Sequence, residues 1–502
     1  MNIKEAKTEI TNTIRAYTRK DAQGRYCIST LHQRPVLLIG PPGIGKTAIM
    51  RQIARECRIG LVAYTITHHT RQSAIGLPVV VQKMYQGQEY SVTEYTMSEI
   101  IASVYDCMEK TGCTEGILFI DEINCVSETL APTMLQFLQC KTFGTHAIPE
   151  GWIIVAAGNP PEYNKSVREF DIVTLDRVKR IDVTADFTVW KEYAYERRLH
   201  PCILSYLSLK PEHFYSVHSS AAENHFVTAR GWEDLSEILC SYEAMKIPVL
   251  ESLFLQYLQE PEIARDFSMY YQLYEKYRQD YSIPELLAGE LPATVRQEKT
   301  AVAKSAQMDE RILILQLLLC GWNNYFAEYC STTDYTDGLY QTLLHLKNFF
   351  ASGGSPEDFL TRQKKALKVK QESGMLSGEE ETREIRIIKT LEEYILEAAK
   401  RRLKDNEEIY EMIKTLFSRE TDARRALIDR TLQALSNGFS FAAEAFGDGP
   451  EMTLLVNDLS QNPSAIRFLT AHRCPEYLKY SKNLLFHRKQ QELLEEIKAL
   501  TQ

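Results

Sequence analysis

Apolar residues at Ile3, Ala6, Ile10, Ile14 and Tyr17 recur at helical spacing, which predicts an amphipathic helix ending before the polar stretch Asp21 to Gly24. From Arg34 to about Asp182 the pattern changes. Short β-rich apolar runs (Val36 to Ile39, Leu61 to Ile66, Gly116 to Ile120, Trp152 to Ala157, Val178 to Val183) alternate with helix-like segments. That alternation predicts a parallel sheet with helical crossovers. Beyond Gly76, LPVVVQKMYQGQEYSVTEY carries β-like residues on both sides of Gln86-Gly87-Gln88, predicting a hairpin before a helix over Ser98 to Cys107. Tyr85 and Tyr90 on that hairpin have two readings, packing within it or contact with a substrate or partner.

After Asp186 the chain is rich in Tyr, Leu, Glu and Lys, with few strand-like runs. A helical lid is expected over 187–295, closed by PELLAGELP, whose prolines and glycine break a continuous helix. Residues 296–502 again read as helical, for instance Glu310 to Tyr329 and Glu380 to Lys404, with breaks at 351–356, 373–381 and 446–451. The expected organisation is therefore a nucleotide-binding core with its N-terminal helix over 1–186, a lid over 187–295 and a helical C-terminal region over 296–502. No fixed-period repeat runs through the chain, which argues against a solenoid.

Composition narrows the function classes. Of 502 residues, 44% are hydrophobic and 25% charged, ordinary for a globular chain. The formal net charge of -9 provides no global basic field for nucleic acid. Tyrosines in the segment Phe267 to Tyr277 stand at helical spacing, as packing residues do, rather than in the basic surround that base stacking needs. The 11 cysteines form no C-x-x-C pair and read as reduced thiols. His68 and His69, adjacent on an extended chain, point apart and do not suggest a metal site. With no apolar signal region in MNIKEAKTEI, and an apolar run at Ile312 to Cys320 too short to span a bilayer, a cytoplasmic protein without membrane insertion is expected.

The chemistry-bearing motif is GPPGIGKT, from Gly40 to Thr47, directly after the strand VLLI and directly before a helix-like segment. The loop of Gly40, Pro41, Pro42, Gly43, Ile44, Gly45, Lys46, Thr47 and Ala48 is expected to cradle phosphate with the backbone N–H groups of its non-proline residues, the helix aiming its positive end at the same anion. Lys46 would reach the β- and γ-phosphates and the Thr47 hydroxyl would ligate Mg²⁺. Downstream, the strand from Gly116 ends in Asp121 and Glu122, expected to hold the Mg²⁺ shell and to activate the attacking water respectively. Asn159, just past the strand Trp152 to Gly158, is a candidate sensor of the γ-phosphate. Arg177, in LDR, is a candidate for insertion into a neighbouring subunit's site, with Arg168 and Arg180 as competitors, and it predicts an oligomer. Arg230, at the start of a lid helix, is placed to report the γ-phosphate to the lid.

These elements together resemble the MoxR family of AAA+ ATPases over roughly residues 30–245, most specifically through DEIN (Asp121 to Asn124), GNPPEYN (Gly158 to Asn164), LDR (Leu175 to Arg177) and TARGW (Thr228 to Trp232). The resemblance implies an α/β P-loop NTPase, an AAA+ core with a parallel sheet, followed by the helical lid and C-terminal region. It also implies a hexameric or similar ring hydrolysing ATP with Mg²⁺ at sites shared between subunits. The work implied is that of a chaperone-like remodeller, often beside a partner with a von Willebrand factor A domain, and Arg230 stands where the family has its sensor-2 arginine. The chain departs from the pattern at Cys125, where the family commonly has arginine, and residues 300–502 match no family pattern. Two other readings stay open on the residues alone: a nucleic-acid-stimulated AAA+ motor of restriction type, and a nucleotide-gated regulatory switch.

Overall fold

A computed structural model describes residues 1–68, 76–143, 145–163, 167, 170–219, 224–372, 376–403 and 405–482. By contact the chain divides into two units. The first comprises Met1–Val189, Tyr215–Gly231 and Val369–Leu376; the second comprises Trp190–Phe214, Trp232–Lys368 and the chain from Ser377 onward.

In the first unit the elements follow in chain order: α1 (Ile3–Tyr17), β1 (Val36–Ile39), α2 (Lys46–Cys57), β2 (Gly60–Thr65), β3 (Pro78–Tyr85), β4 (Gln88–Tyr95), α3 (Glu99–Thr111), β5 (Gly116–Asp121), α4 (Ala131–Cys140), β6 (Thr142–Phe143), β7 (His146–Ala147), β8 (Trp152–Gly158), α5 (Ile172–Leu175) and β9 (Lys179–Asp182). Five strands form one parallel sheet in the order β2-β5-β8-β1-β9. Side chains alternate between faces along each strand, so each face builds its own core. Val36 and Leu38 of β1 join Ile117, Phe119, Ile153 and Val155 beneath Ile10 and Ile14 of α1 and Ile49 and Ile53 of α2. Leu37 points the other way, with Leu118, Ile120 and Ile154, against Ile100 and Val104 of α3 and Phe137 of α4.

One row across the sheet explains two glycines. Register aligns Gly60 with Gly116, and Gly116 with Trp152. A Cβ on Gly116 would lie 2.6 Å from the Trp152 ring and one on Gly60 2.9 Å, so the fully buried indole lies across both backbones.

The expected hairpin is present as β3 and β4, joined by Gln86 and Gly87, both at positive φ (52° and 84°), the backbone of a tight hairpin turn. It stands largely in solvent. Val80 (68%), Met84 (66%), Tyr85 (51%) and Tyr90 (48%) are all exposed, although the two tyrosine rings also pack on each other with centroids 6.1 Å apart. His69, weighed above for metal binding, lies outside the described residues, as do Arg168 and Asn164.

The stretch expected to be a helical lid with few strands also holds a hairpin, β10 (Ser216–Ser219) with β11 (Asn224–Val227), in the first unit. Its strands are four residues each and mostly polar, SVHS and NHFV, so no apolar period announces them.

The second unit is helical. Its longest helices, Met308–Ala351 and Asn406–Phe446, have 44 and 41 residues. They are pinned together where the Trp322 indole N–H donates to the Ala434 carbonyl (2.9 Å), with its ring against Gly438. In Pro261–Tyr281, Phe267, Tyr271 and Tyr274 are buried, so the tyrosine-rich segment packs inward. Helices end at Ala351 and Phe446 and another begins at Gly378, each at a break that the glycine-containing clusters predict. Among the described residues no helix is long and apolar enough to cross a membrane.

Candidate active site

Strand order sets where a ligand can sit. β1 lies between β8 and β9, and the chain leaves it through α2 for β2 at the far edge. The crevice beyond the carboxyl ends of β1 and β8 is therefore a topological switch point. Here the Gly40 N–H donates to the Gly158 carbonyl (3.3 Å), tying the start of the loop to the end of β8. Gly43 and Gly45 have φ of +78° and +89°, left-handed backbone that glycine adopts without strain. That conformation turns loop amides inward, and α2 opens at Lys46 with the free N–H groups of its first turn, including those of Thr47 and Ala48. Ile44 packs into the core beneath α2 and anchors the loop.

Lys46 is only 8% exposed, and its Nζ donates to the carbonyls of Gly40 (2.7 Å) and Pro41 (2.8 Å) and to Asn159 Oδ1 (2.9 Å). Burial lowers its ammonium to about 8; the Arg230 charge pushes the same way, while Asp121 and Glu122 oppose it. The Thr47 hydroxyl donates to Asp121 Oδ2 (2.8 Å), and Asp121 Oδ1 accepts the Glu122 N–H (3.0 Å). Glu122 itself sits in left-handed backbone (φ 56°), turning the chain sharply after β5. The Asn124 Nδ2 donates to the Asn159 carbonyl (2.7 Å), so the loops after β5 and β8 are tied together. Lys46 with Asn159, and Thr47 with Asp121, thus form two hydrogen-bonded pairs on consecutive residues of the loop, with Glu122 adjoining the second.

Two paired oxygens, Thr47 Oγ1 and Asp121 Oδ2, make a hard donor set suited to Mg²⁺ bound through one or two protein ligands plus phosphate and water. Among the described residues no group of three His, Cys, Asp or Glu side chains offers an all-protein metal cage.

The arginines lie differently. Arg177 is exposed, following α5, and bonds Gln139 of α4. Arg180 is engaged by Asp182 (2.9 and 3.1 Å). Arg230 begins the helix Ala229–Met245, and its Cβ lies 3.4 Å from where a Cβ on Gly43 would stand, beside Thr228 at 3.3 Å. Cys125 is half-buried; burial first, then Glu122 and Asp121, push its thiol up. Two groups at the site carried no role in the sequence. Asn124 lay inside DEIN, so a motif signal existed. Tyr215 had none: its hydroxyl donates to the Pro42 carbonyl (3.1 Å) and its ring meets Tyr163 edge-on at 6.5 Å.

A strand, a glycine loop and a helix N-terminus, with a Thr-Asp oxygen pair at the next strand, define the class: a P-loop nucleoside triphosphatase core of α/β type, followed by a mostly helical region. Residues 35–178 match the family model of the AAA domain, dynein-related subfamily, so this stretch is an AAA+ ATPase core. No curated protein matches the chain.

Proposed function

We propose that the chain is a Mg²⁺-dependent ATP hydrolase of the MoxR type, working in a ring as a remodeller or assembly factor for a protein partner. The observation that carries the hydrolase reading is Lys46 bridging the loop to Asn159 while Thr47 meets Asp121, with Glu122 next in the chain. When bound, Mg²⁺ supplies charge neutralisation to the β- and γ-phosphates. Lys46 and the loop amides hold those phosphates, Asn159 contacts the γ-phosphate, and Arg230 reads it from the helix that follows Thr228. Glu122 takes the proton of the attacking water; oxygen bonds to the γ-phosphorus as the bond to the bridging oxygen breaks, releasing ADP and phosphate.

The ring reading rests on the surface around Arg177. Its side chain is exposed, and Ile172 (84%) and Val173 (57%) of α5 stand in solvent a turn earlier. Apolar side chains that open to water suit burial against a second copy, which would bring Arg177 to that copy's phosphates. The exposed apolar ribbon of β3 and β4 supports a protein partner, for which a von Willebrand factor A domain protein is the candidate the family resemblance offers. Residues 187–295 would serve as the lid and 296–502 as the partner-specific part.

Mixing tests both readings at once. Glu122→Gln and Arg177→Ala are each expected to be inactive as pure proteins. Mixed, they should recover ATPase activity, because an intact Glu122 from one copy meets an intact Arg177 from the other. Absence of turnover in the unaltered chain with Mg²⁺ would overturn the hydrolase reading; no recovery on mixing would overturn the shared site.

A further inference from the structure

We infer that Asn124 is a positioning residue of the ATPase cycle: a clamp that fixes the sensor Asn159 by holding its main chain, with Gly158 kept free of a side chain to admit it. The inference rests on the ATPase reading above, but its geometry is independent of that reading. Asn124 is 5% exposed, in the short helical turn that follows Glu122. Its Nδ2 donates to the Asn159 carbonyl at 2.7 Å, and its Oδ1 meets no donor among the described residues. A buried amide that leaves one of its own atoms unmatched is held by its other bond and by its packing.

The packing is specific. A Cβ on Gly158 would come within 2.5 Å of Asn124 Oδ1, 2.8 Å of its Cγ and 3.0 Å of its Nδ2, and no other residue is as near. Gly158 is not at positive φ, so its backbone does not itself require glycine; the three atoms nearest an added Cβ are all of the Asn124 amide. Asn124 is therefore tied to the end of β8 twice, by its donor to Asn159 and by its shape against Gly158. What the clamp controls is the next link: Asn159 Oδ1 accepts from Lys46 Nζ, which also binds the carbonyls of Gly40 and Pro41. The turn carrying Glu122 is thereby joined, through Asn124 and Asn159, to the phosphate loop. A displacement of the Glu122 turn moves the sensor, and a change at the γ-phosphate returns along the same path.

The test uses the full chain and four variants: Asn124→Ala, Asn124→Leu (which keeps the volume and removes the donor), Gly158→Ala and the double variant Asn124→Ala/Gly158→Ala. Each single change should lower kcat about 10- to 100-fold with KM shifted by less than about threefold, since a small misplacement of a positioned group has effects of that size. The double variant should be no worse than either single one, because the three atoms nearest the added Cβ all belong to the side chain already removed. In a Glu122→Gln background, Asn124→Ala and Asn124→Leu should also reduce the preference for ATP over ADP measured by calorimetry. Wild-type kcat in Asn124→Leu, effects that multiply in the double variant, or an unchanged ATP-over-ADP preference would each overturn the clamp. A chain that never hydrolyses ATP would instead overturn the parent reading, and the binding preference would still judge the clamp.

Discussion

Two lysines of the first unit are buried almost equally, Lys46 at 8% and Lys141 at 5% exposure, and burial lowers both ammonium groups to about 8. Their surroundings differ in kind. Lys46 meets two loop carbonyls and Asn159, with Asp121, Glu122 and Arg230 close enough to shift its proton. Lys141 follows α4 in left-handed backbone and among the described residues its ammonium reaches a single neutral acceptor, Gln33 Oε1 (3.3 Å), whose own Nε2 is spent on the carbonyls of Tyr17 and Ile28. Desolvation is the one cause of the Lys141 shift. A perturbed proton affinity therefore marks a functional lysine only where charges of both signs converge on it; alone, it marks a lysine that folding has confined.

The comparison breaks first on turnover. Lys46→Ala should lower ATPase activity by about 10²–10³-fold, the size expected when one preorganised donor to developing charge is removed. Lys141→Met should leave the rate within about twofold. Equal losses in a steady-state phosphate-release assay would erase the distinction. Stability should respond in the opposite sense. An ammonium taken from an ordinary value near 10.5 down to about 8 represents about 3 kcal/mol of confinement, so Lys141→Met should raise unfolding stability by about 1–3 kcal/mol in denaturant titration.

The pH dependence sharpens it further. The folded-state affinity for the proton is depressed, so between about pH 8 and 10.5 the unfolded chain binds more protons and stability rises with pH; below pH 8 the full penalty remains. Lys141→Met should flatten that rise without touching nucleotide affinity. ATP affinity of the unaltered chain should instead fall above about pH 8, as Lys46 loses its charge, and isothermal calorimetry across pH 7–10 separates the two. The smallest effect concerns Gln33. Gln33→Leu removes the one side-chain acceptor that Lys141 Nζ meets among the described residues, and should destabilise by about 1 kcal/mol in the unaltered chain and by less when Lys141 is already Met. Equal effects in both backgrounds would show that Gln33 acts through its bonds to Tyr17 and Ile28 alone.

Much of the first unit was legible because its signals are local. β1, β5 and β8 lie within a residue of their apolar runs, the β3–β4 turn falls on Gln86-Gly87, and GPPGIGKT sits between a strand and a helix as its mechanism demands. The gathering of Lys46, Thr47, Asp121 and Asn159 follows from the order of strands, which the β-runs do not carry. What escaped is non-local. Tyr215 comes to Pro42 only because β10 and β11, short and polar, return the chain to the first unit after helix has begun. Asn124 was visible as a letter of DEIN, but its fit against Gly158 exists only once β5 and β8 are neighbours. The confinement of Lys141 is likewise invisible in a sequence where lysine after a helix reads as a solvated cap.

Trp152, lying across Gly60 and Gly116, has a practical corollary. The chain holds four tryptophans, and the other three, Trp190, Trp232 and Trp322, all belong to the second unit. The fluorescence of the sheet thus originates from a single buried indole. Replacing the other three by phenylalanine would leave an emission spectrum that follows unfolding of the nucleotide-binding unit alone, and replacing Trp152 would leave one that follows the helical unit.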